Sequence, residues 1–224
     1  MSDRAERGAT RAVLFDFDGT LADTAADLGA AVNRLRARRG LPDLSPADVR
    51  AYASSGARGL LRVGLGIGPG DPDYETMRDS FLAHYAERVC VETKLFPGIP
   101  ELLQELSARG VRWGIVTNKA TRFTEPIVAA LGITPDCVVC GDTTPHAKPH
   151  PAPLLHAAEC LAVAPVDCCY LGDDLRDVQA AHAAGMRAIA VQYGYHGIDN
   201  GGPTSWNADA IIDRPIELVA HLYA

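Results

Sequence analysis

Six short apolar runs, at residues 11–16, 111–117, 137–140, 168–171, 188–191 and 210–213, punctuate this sequence and constrain its fold more than any other feature. Apolar runs of this length, bounded by turn residues, read as buried strands. Between them lie segments with helical periodicity, at residues 98–109, 122–131, 153–161 and 174–184. Strands alternating with helices of about ten residues predict βαβ units, a parallel sheet and right-handed crossovers. Gly110, Gly132 and Gly185 follow the periodic segments they would cap. The fold class expected is α/β, a Rossmann-like parallel sheet flanked by helices.

One stretch breaks the alternation. Residues 23–94 show helical periodicity and no strand: 23–39 reads as a long amphipathic helix ending at Gly40. Ser45-Pro46 supplies an N-cap and a proline at the first helical position of a second helix, and 73–91 is helical again. About 70 helical residues are therefore expected as an insertion, a small helical cap over 23–94, in an α/β core of residues 11–22 and 95–224. The polar residues 1–10 read as a loose tail. The length of 224 residues suits one core domain plus such an insertion.

Charge narrows the partners. Twenty-one basic residues stand against 28 acidic ones, a formal net charge of −7. Nucleic acid and anionic membrane both need a basic footprint and are not expected as partners. A small anionic substrate held by a few local cations is compatible. No run approaches the ~20 apolar residues that span a bilayer. No apolar stretch follows the first charged residues as a secretory signal requires, so a cytoplasmic location is expected. Of the six cysteines, Cys137, Cys140, Cys168 and Cys169 lie in strand-like runs, which predicts buried, reduced side chains rather than disulfides. Cys137-Val-Val-Cys140 has C-x-x-C spacing, but no second Cys or His pair completes a zinc site.

Four motifs carry chemistry, each at the end of its own strand. Asp16-Phe-Asp18-Gly-Thr20 places two carboxylates two residues apart, on the same side of an extended chain. Like charges so close call for a compensating cation, and hard oxygen ligands favour Mg²⁺. Gly172-Asp173-Asp174-Leu-Arg-Asp177 repeats the arrangement. Asp173, first off the strand, is the better ligand, whereas Asp174 and Asp177 also suit the first turn of a helix. Thr117-Asn118 offers a hydroxyl and backbone N–H groups for phosphate oxygens, and serves equally well as a turn. Lys148, in Ala-Lys-Pro-His-Pro, is one of only three lysines and sits in a proline-stiffened loop. It can neutralise a carboxylate and a phosphate, or lie in solvent. His146 and His150 beside it are assigned no role.

In that order and context the four motifs resemble the haloacid dehalogenase (HAD) superfamily of phosphatases, over residues 12–222. Within it the chain is similar to the phosphoglycolate phosphatase branch. The stretches at 93–98, 113–119, 123–127, 171–177 and 193–195 also look like the N-acetylmuramate 6-phosphate phosphatases. The resemblance implies a Mg²⁺-dependent phosphomonoester hydrolase working through an aspartyl-phosphate. By it Asp16 is the nucleophile and Asp18 the general acid and base. The metal is held by Asp16, the Asp18 backbone carbonyl and Asp173, with Asp177 acting through a metal-bound water. Thr117 and the Asn118 N–H grip the phosphoryl oxygens, and Lys148 offsets their charge. The insertion is the expected cap, hinged near 23–24 and 95–98, with residues 54–58 (Ser-Ser-Gly-Ala-Arg) as its substrate-facing loop. There Ser55, Gly56 and above all Arg58 are candidates to bind the substrate, Arg58 reading a carboxylate. Arg58 as an ordinary solvated arginine is the other reading.

The expected substrate is a small phosphorylated metabolite carrying a carboxylate: 2-phosphoglycolate, or alternatively N-acetylmuramic acid 6-phosphate. A sugar phosphomutase shares the same motifs. A signalling receiver domain places its phosphorylated Asp after the third strand, not the first, and Asp18 argues against a true dehalogenase. A non-catalytic descendant would not be expected to keep every catalytic position.

Overall fold

The computed structural model describes residues 9–223, so the expected tail falls outside the described residues except at its end. There Thr10 is buried and its amide donates to the Leu222 carbonyl at 2.8 Å, so the ordered chain begins earlier than expected.

All six expected strands form one parallel sheet: β1 (Ala12–Phe15), β4 (Arg112–Val116), β5 (Cys137–Val139), β6 (Cys168–Gly172), β7 (Arg187–Val191) and β8 (Ala210–Ile212). Their order is β5-β4-β1-β6-β7-β8, each pair of neighbours parallel. The alternation of side chains explains why the runs are continuously apolar. Val13 and Phe15 of β1, Cys169 and Leu171 of β6, and Ile189 and Val191 of β7 enter one core. Ala12 and Leu14, Cys168 and Tyr170, and Ala188 and Ala190 enter a second. With both faces covered, the strand interiors are apolar, and charged residues stand only at strand starts, as Arg112 and Arg187 do. The first core receives α5 (Ile99–Ala108) and α6 (Thr121–Leu131), and the second receives α7 (Ala152–Cys160) and α8 (Leu175–Ala183). Each fully buried Leu, Ile or Phe stabilises the fold by about 1.5–3 kcal/mol.

The 23–94 stretch holds α1 (Ala25–Ala37), α2 (Pro46–Ala53), α3 (Gly56–Leu65) and α4 (Tyr74–Ala86). The Ser45 hydroxyl accepts from the Asp48 amide at 3.1 Å, as the Ser-Pro signature predicts. The expectation of no strand fails at both ends. Ala22–Asp23 (β2) and Lys94–Leu95 (β3) pair antiparallel, a ribbon too short to leave an alternating pattern. Asp27 closes the segment: its carboxylate accepts from the amides of Val91, Glu92 and Thr93 and from the Thr93 hydroxyl at 2.7 Å. Residues 87–91, expected to be helical, instead form the turn and bend that lead into these bonds.

The six cysteines are free thiols. Their uniform burial is not observed: Cys160 is exposed, and Cys90 and Cys137 are half-buried, because Cys160 ends α7 at the surface. No helix among the described residues is long and apolar enough to cross a membrane.

Candidate active site

The sheet order fixes where a site can form. The chain runs from β1 to β4 and β5 on one side, then returns to β6, β7 and β8 on the other. In open α/β sheets ligands bind beyond the carboxyl ends of the strands where the order reverses. Here that point is the end of β1. Phe15 is in register with Ile115 of β4 and Leu171 of β6. Asp16, Thr117 and Asp173 therefore leave adjacent strands side by side.

Carboxylate oxygens of Asp16, Asp173 and Asp177 lie within 4.8 Å of one another. The Lys148 ammonium sits among them, 2.8 Å from Asp16 Oδ1 and 2.8 Å from Asp177 Oδ1. It also donates to the Tyr170 hydroxyl at 2.6 Å, and that hydroxyl donates to the Val116 carbonyl at 2.7 Å. Lys148 is buried, which rules out a solvent-exposed loop lysine. Its backbone is clamped by the Asn118 side chain, which accepts from the Lys148 amide and donates to its carbonyl, both at 2.9 Å. The Asn118 side chain thus fixes Lys148 and leaves its backbone N–H for other work.

Asp173 is held by the Tyr195 amide at 2.8 Å and by the Thr20 hydroxyl at 3.2 Å. Its surroundings tolerate no added atom. A Cβ at Gly19, where φ is +88°, would lie 2.2 Å from an Asp173 oxygen, and one at Gly194 2.2 Å from Asp173 Cβ. Glycine is needed at both places for the chains to approach so closely. Asp174 and Asp177 form the capping box of α8, with Asp177 Oδ2 accepting from the Asp174 amide at 3.1 Å. Asp174 thus takes the helix-terminal role foreseen for it. Asp177 also meets Lys148 directly.

Burial pushes the Asp16 carboxyl up to about 7, against the pull of Lys148, and the Asp177 charge adds to the rise. Burial raises Asp173 as well, reinforced by Asp16 and Asp177. One ammonium among three converging carboxylates leaves an excess of negative charge. A hard, oxygen-only donor set with that excess fits a divalent cation, and these residues could hold one.

Asp18, two residues on, turns away from this cluster. Its carboxylate receives the Lys119 ammonium at 2.8 and 3.0 Å and the Thr24 hydroxyl. Burial opposes the Lys119 charge, yet Asp18 more than offsets it and the Lys119 pKa is raised. Thr117 is buried, and its hydroxyl accepts from the Lys119 amide at 3.1 Å.

These groups open into a cavity of about 380 Å³, roofed by α2, α3 and α4. Ser55, Gly56 and Arg58 line it, although 54–58 is not a loop: Gly56 begins α3 and Arg58 lies in its first turn. Arg58 is exposed. Three lining residues escaped the sequence reading. Lys119 directly follows Thr117-Asn118, and the scarcity of lysine was a signal for it. Arg176 donates to the Ser54 carbonyl at 2.7 Å while paired with Asp174 at 2.9 Å, tying α8 to the helical layer. Tyr85 places its ring over Lys119, with the ammonium 4.9 Å from the centroid. Arg176 stands inside the Gly172–Asp177 motif, whose acidic residues carried the reading, and Tyr85 lies in a helix where periodicity does not distinguish it from core.

A model of the haloacid dehalogenase-like hydrolases matches residues 13–191. The chain belongs to that family. It is 42% identical over 217 residues to the N-acetylmuramic acid 6-phosphate phosphatase of Pseudomonas aeruginosa, covering 96% of this chain and 95% of that one. It is 41% identical over 210 residues to a phosphoglycolate phosphatase of Xanthomonas campestris pv. campestris, covering 93% and 94%. A solved structure from Haemophilus somnus 129PT, described as a "predicted phosphoglycolate phosphatase", superposes with a TM-score of 0.82. It is 27% identical and covers 95% of this chain and 97% of that one. This HAD family member is a phosphatase, a hydrolase of phosphoric monoesters, and its core is the family's parallel sheet.

Proposed function

We propose that this phosphatase hydrolyses a small phosphomonoester bearing a carboxylate, of the 2-phosphoglycolate type, through an aspartyl-phosphate on Asp16. The pairing of Asp16 with Lys148 at 2.8 Å, at the carboxyl end of β1, carries the reading. Asp16 attacks phosphorus in line, the P–O ester bond breaks, and Asp18 gives a proton to the departing oxygen. Asp18 then takes a proton from the water that cleaves the acyl phosphate, and phosphate leaves. Lys148 stabilises negative charge on the transferring group, and Thr117 with the Asn118 N–H orients its oxygens. Asp16, Asp173 and the Asp18 backbone carbonyl would hold Mg²⁺, which would supply further charge stabilisation to the phosphoryl oxygens.

Residues 23–94 act as a cap that excludes water from the site, flexing at the β2–β3 ribbon. Phosphate release with Mg²⁺, measured over glycolate, sugar and nucleotide monophosphates, tests the whole reading. Release from none of them would overturn it.

N-acetylmuramic acid 6-phosphate is the second reading. Two observations favour it: the cavity of about 380 Å³ falls in the size range of drug-sized ligand pockets, and the buried Ser54 hydroxyl oxygen has no hydrogen-bond partner. Both candidate substrates carry a carboxylate, for which Arg58 on the cavity wall is the reader. Arg58→Ala should lower kcat/KM for the carboxylate ester ~10- to 100-fold, the cost of one charge-assisted hydrogen bond. It should change hydrolysis of p-nitrophenyl phosphate far less. Equal losses on the two esters would assign Arg58 to the support of α3 instead.

A further inference from the structure

The chain holds three lysines, and one of the two at the site has no part in the reaction described so far. Lys119 is nearly as enclosed as Lys148, its side chain 7% exposed against 3%. Burying an ammonium costs several kcal/mol unless a partner meets it, so its environment has to be built for it. Asp18 meets it with both oxygens, at 2.8 and 3.0 Å. From the other side the Tyr85 ring covers it at 4.9 Å, in the geometry of a cation–π contact. Tyr85 belongs to α4, is itself 2% exposed, and packs on Phe123 of α6 with centroids 5.3 Å apart. Burial pushes the Tyr85 hydroxyl up to about 12, and the Lys119 charge acts on that same hydroxyl in the opposite sense. Tyr85 thus faces the ammonium with its ring and its hydroxyl together.

We propose that Lys119 is a positioning residue for Asp18, and that Tyr85 holds it in place from the helical layer. This rests on the assignment of Asp18 as the proton donor to the leaving oxygen. A free carboxylate rotates about its last bond, whereas two N–H contacts from one ammonium and a third from the Thr24 hydroxyl select one orientation. Lys119 lies in the segment following β4, Thr24 is the N-cap of α1, and Tyr85 stands on the fourth inserted helix. Asp18 is thus held from the core through Lys119, and Lys119 in turn is backed from the insertion by Tyr85.

Leaving-group chemistry separates this role from substrate binding and from structural support. An alkyl ester needs a proton on its departing oxygen, and p-nitrophenolate does not. Lys119→Met should therefore lower kcat/KM ~10- to 100-fold on alkyl phosphates, a part of the 10²–10⁴-fold that general acid catalysis contributes. On p-nitrophenyl phosphate the loss should stay within about threefold. The loss should be alike for 2-phosphoglycolate and for glycerol phosphate, which has no carboxylate. Lys119→Arg should restore most of it. Tyr85→Leu should give the same selective loss in weaker form, and Tyr85→Phe, which keeps the ring and removes the hydroxyl, a smaller one still.

Equal losses on alkyl and nitrophenyl esters would overturn the proposal, as would a loss confined to the carboxylate ester, which would make Lys119 a substrate-binding group. No loss at all would also overturn it. If Lys119→Met fails to fold, the Tyr85 pair decides by the same criterion. Wild-type enzyme with Mg²⁺ on all three esters is the control: silence there removes the phosphatase reading itself, whereas activity with a flat Lys119 response removes only this inference.

Discussion

Asp16→Asn should reduce turnover below a thousandth of wild type while the protein stays folded. Asn presents no anionic oxygen to phosphorus, so the covalent route closes and only positioning remains. Stability should not suffer. Burial holds the Asp16 carboxyl up near 7, well above its ordinary value. Its charged form is thus disfavoured in the folded protein, and an amide of the same shape removes that cost above neutrality. Lys148 keeps Asp177 at 2.8 Å and Tyr170 at 2.6 Å, so the variant does not orphan the ammonium. Phosphate-ester binding, followed by calorimetry, should persist. The decisive measurement is single-turnover phosphate release together with the thermal melt. Activity above the thousandth level would mean that another group attacks phosphorus. A collapsed melt would mean that Asp16 is primarily structural.

The sheet was legible because its strands are buried on both faces, so that each reads as an unbroken apolar run closed by small or acidic residues. The same physics placed Asp16, Thr117 and Asp173, since each closes such a run or lies within two residues of its end. Lys148 was legible from its rarity and its prolines, yet nothing in the sequence shows that Asn118, 30 positions earlier, clamps its backbone. The two-residue strands β2 and β3 were illegible because alternation needs about four residues to show. Lys119 and Tyr85 were missed for a different reason. They meet across 34 residues and two layers, and neither an isolated lysine nor a tyrosine within a helix carries a pattern. Arg176 reads as one more polar residue in the first turn of α8, although it reaches the Ser54 carbonyl. Local chemistry at strand ends is therefore visible in the sequence, and contacts between the core and the inserted helices are not.

The second large effect concerns divalent metal and pH together. Exhaustive chelation should abolish turnover, and Mg²⁺ should restore it, because one ammonium cannot balance Asp16, Asp173 and Asp177 within 4.8 Å. The same imbalance gives a signature that needs no substrate. Burial, then the neighbouring carboxylates, raise Asp16 and Asp173 above their ordinary values, with only Lys148 opposing at Asp16. A carboxyl whose folded pKa is raised binds protons more readily in the folded chain than in the unfolded one. The contribution of these two carboxyls to stability without metal is then greatest at low pH and falls as pH rises from about 4 through about 7. Protons and Mg²⁺ compete for the same oxygens, so the rise in melting temperature produced by Mg²⁺ should be larger at pH 8 than at pH 5.5. The site, rather than the surface charge of −7, should be responsible. Asp173→Asn should therefore shrink the Mg²⁺ shift at pH 8, while Asp199→Asn, at an exposed surface ion pair, should leave it intact. A Mg²⁺ shift independent of pH, or one unchanged by Asp173→Asn, would show that the cation acts elsewhere on the molecule.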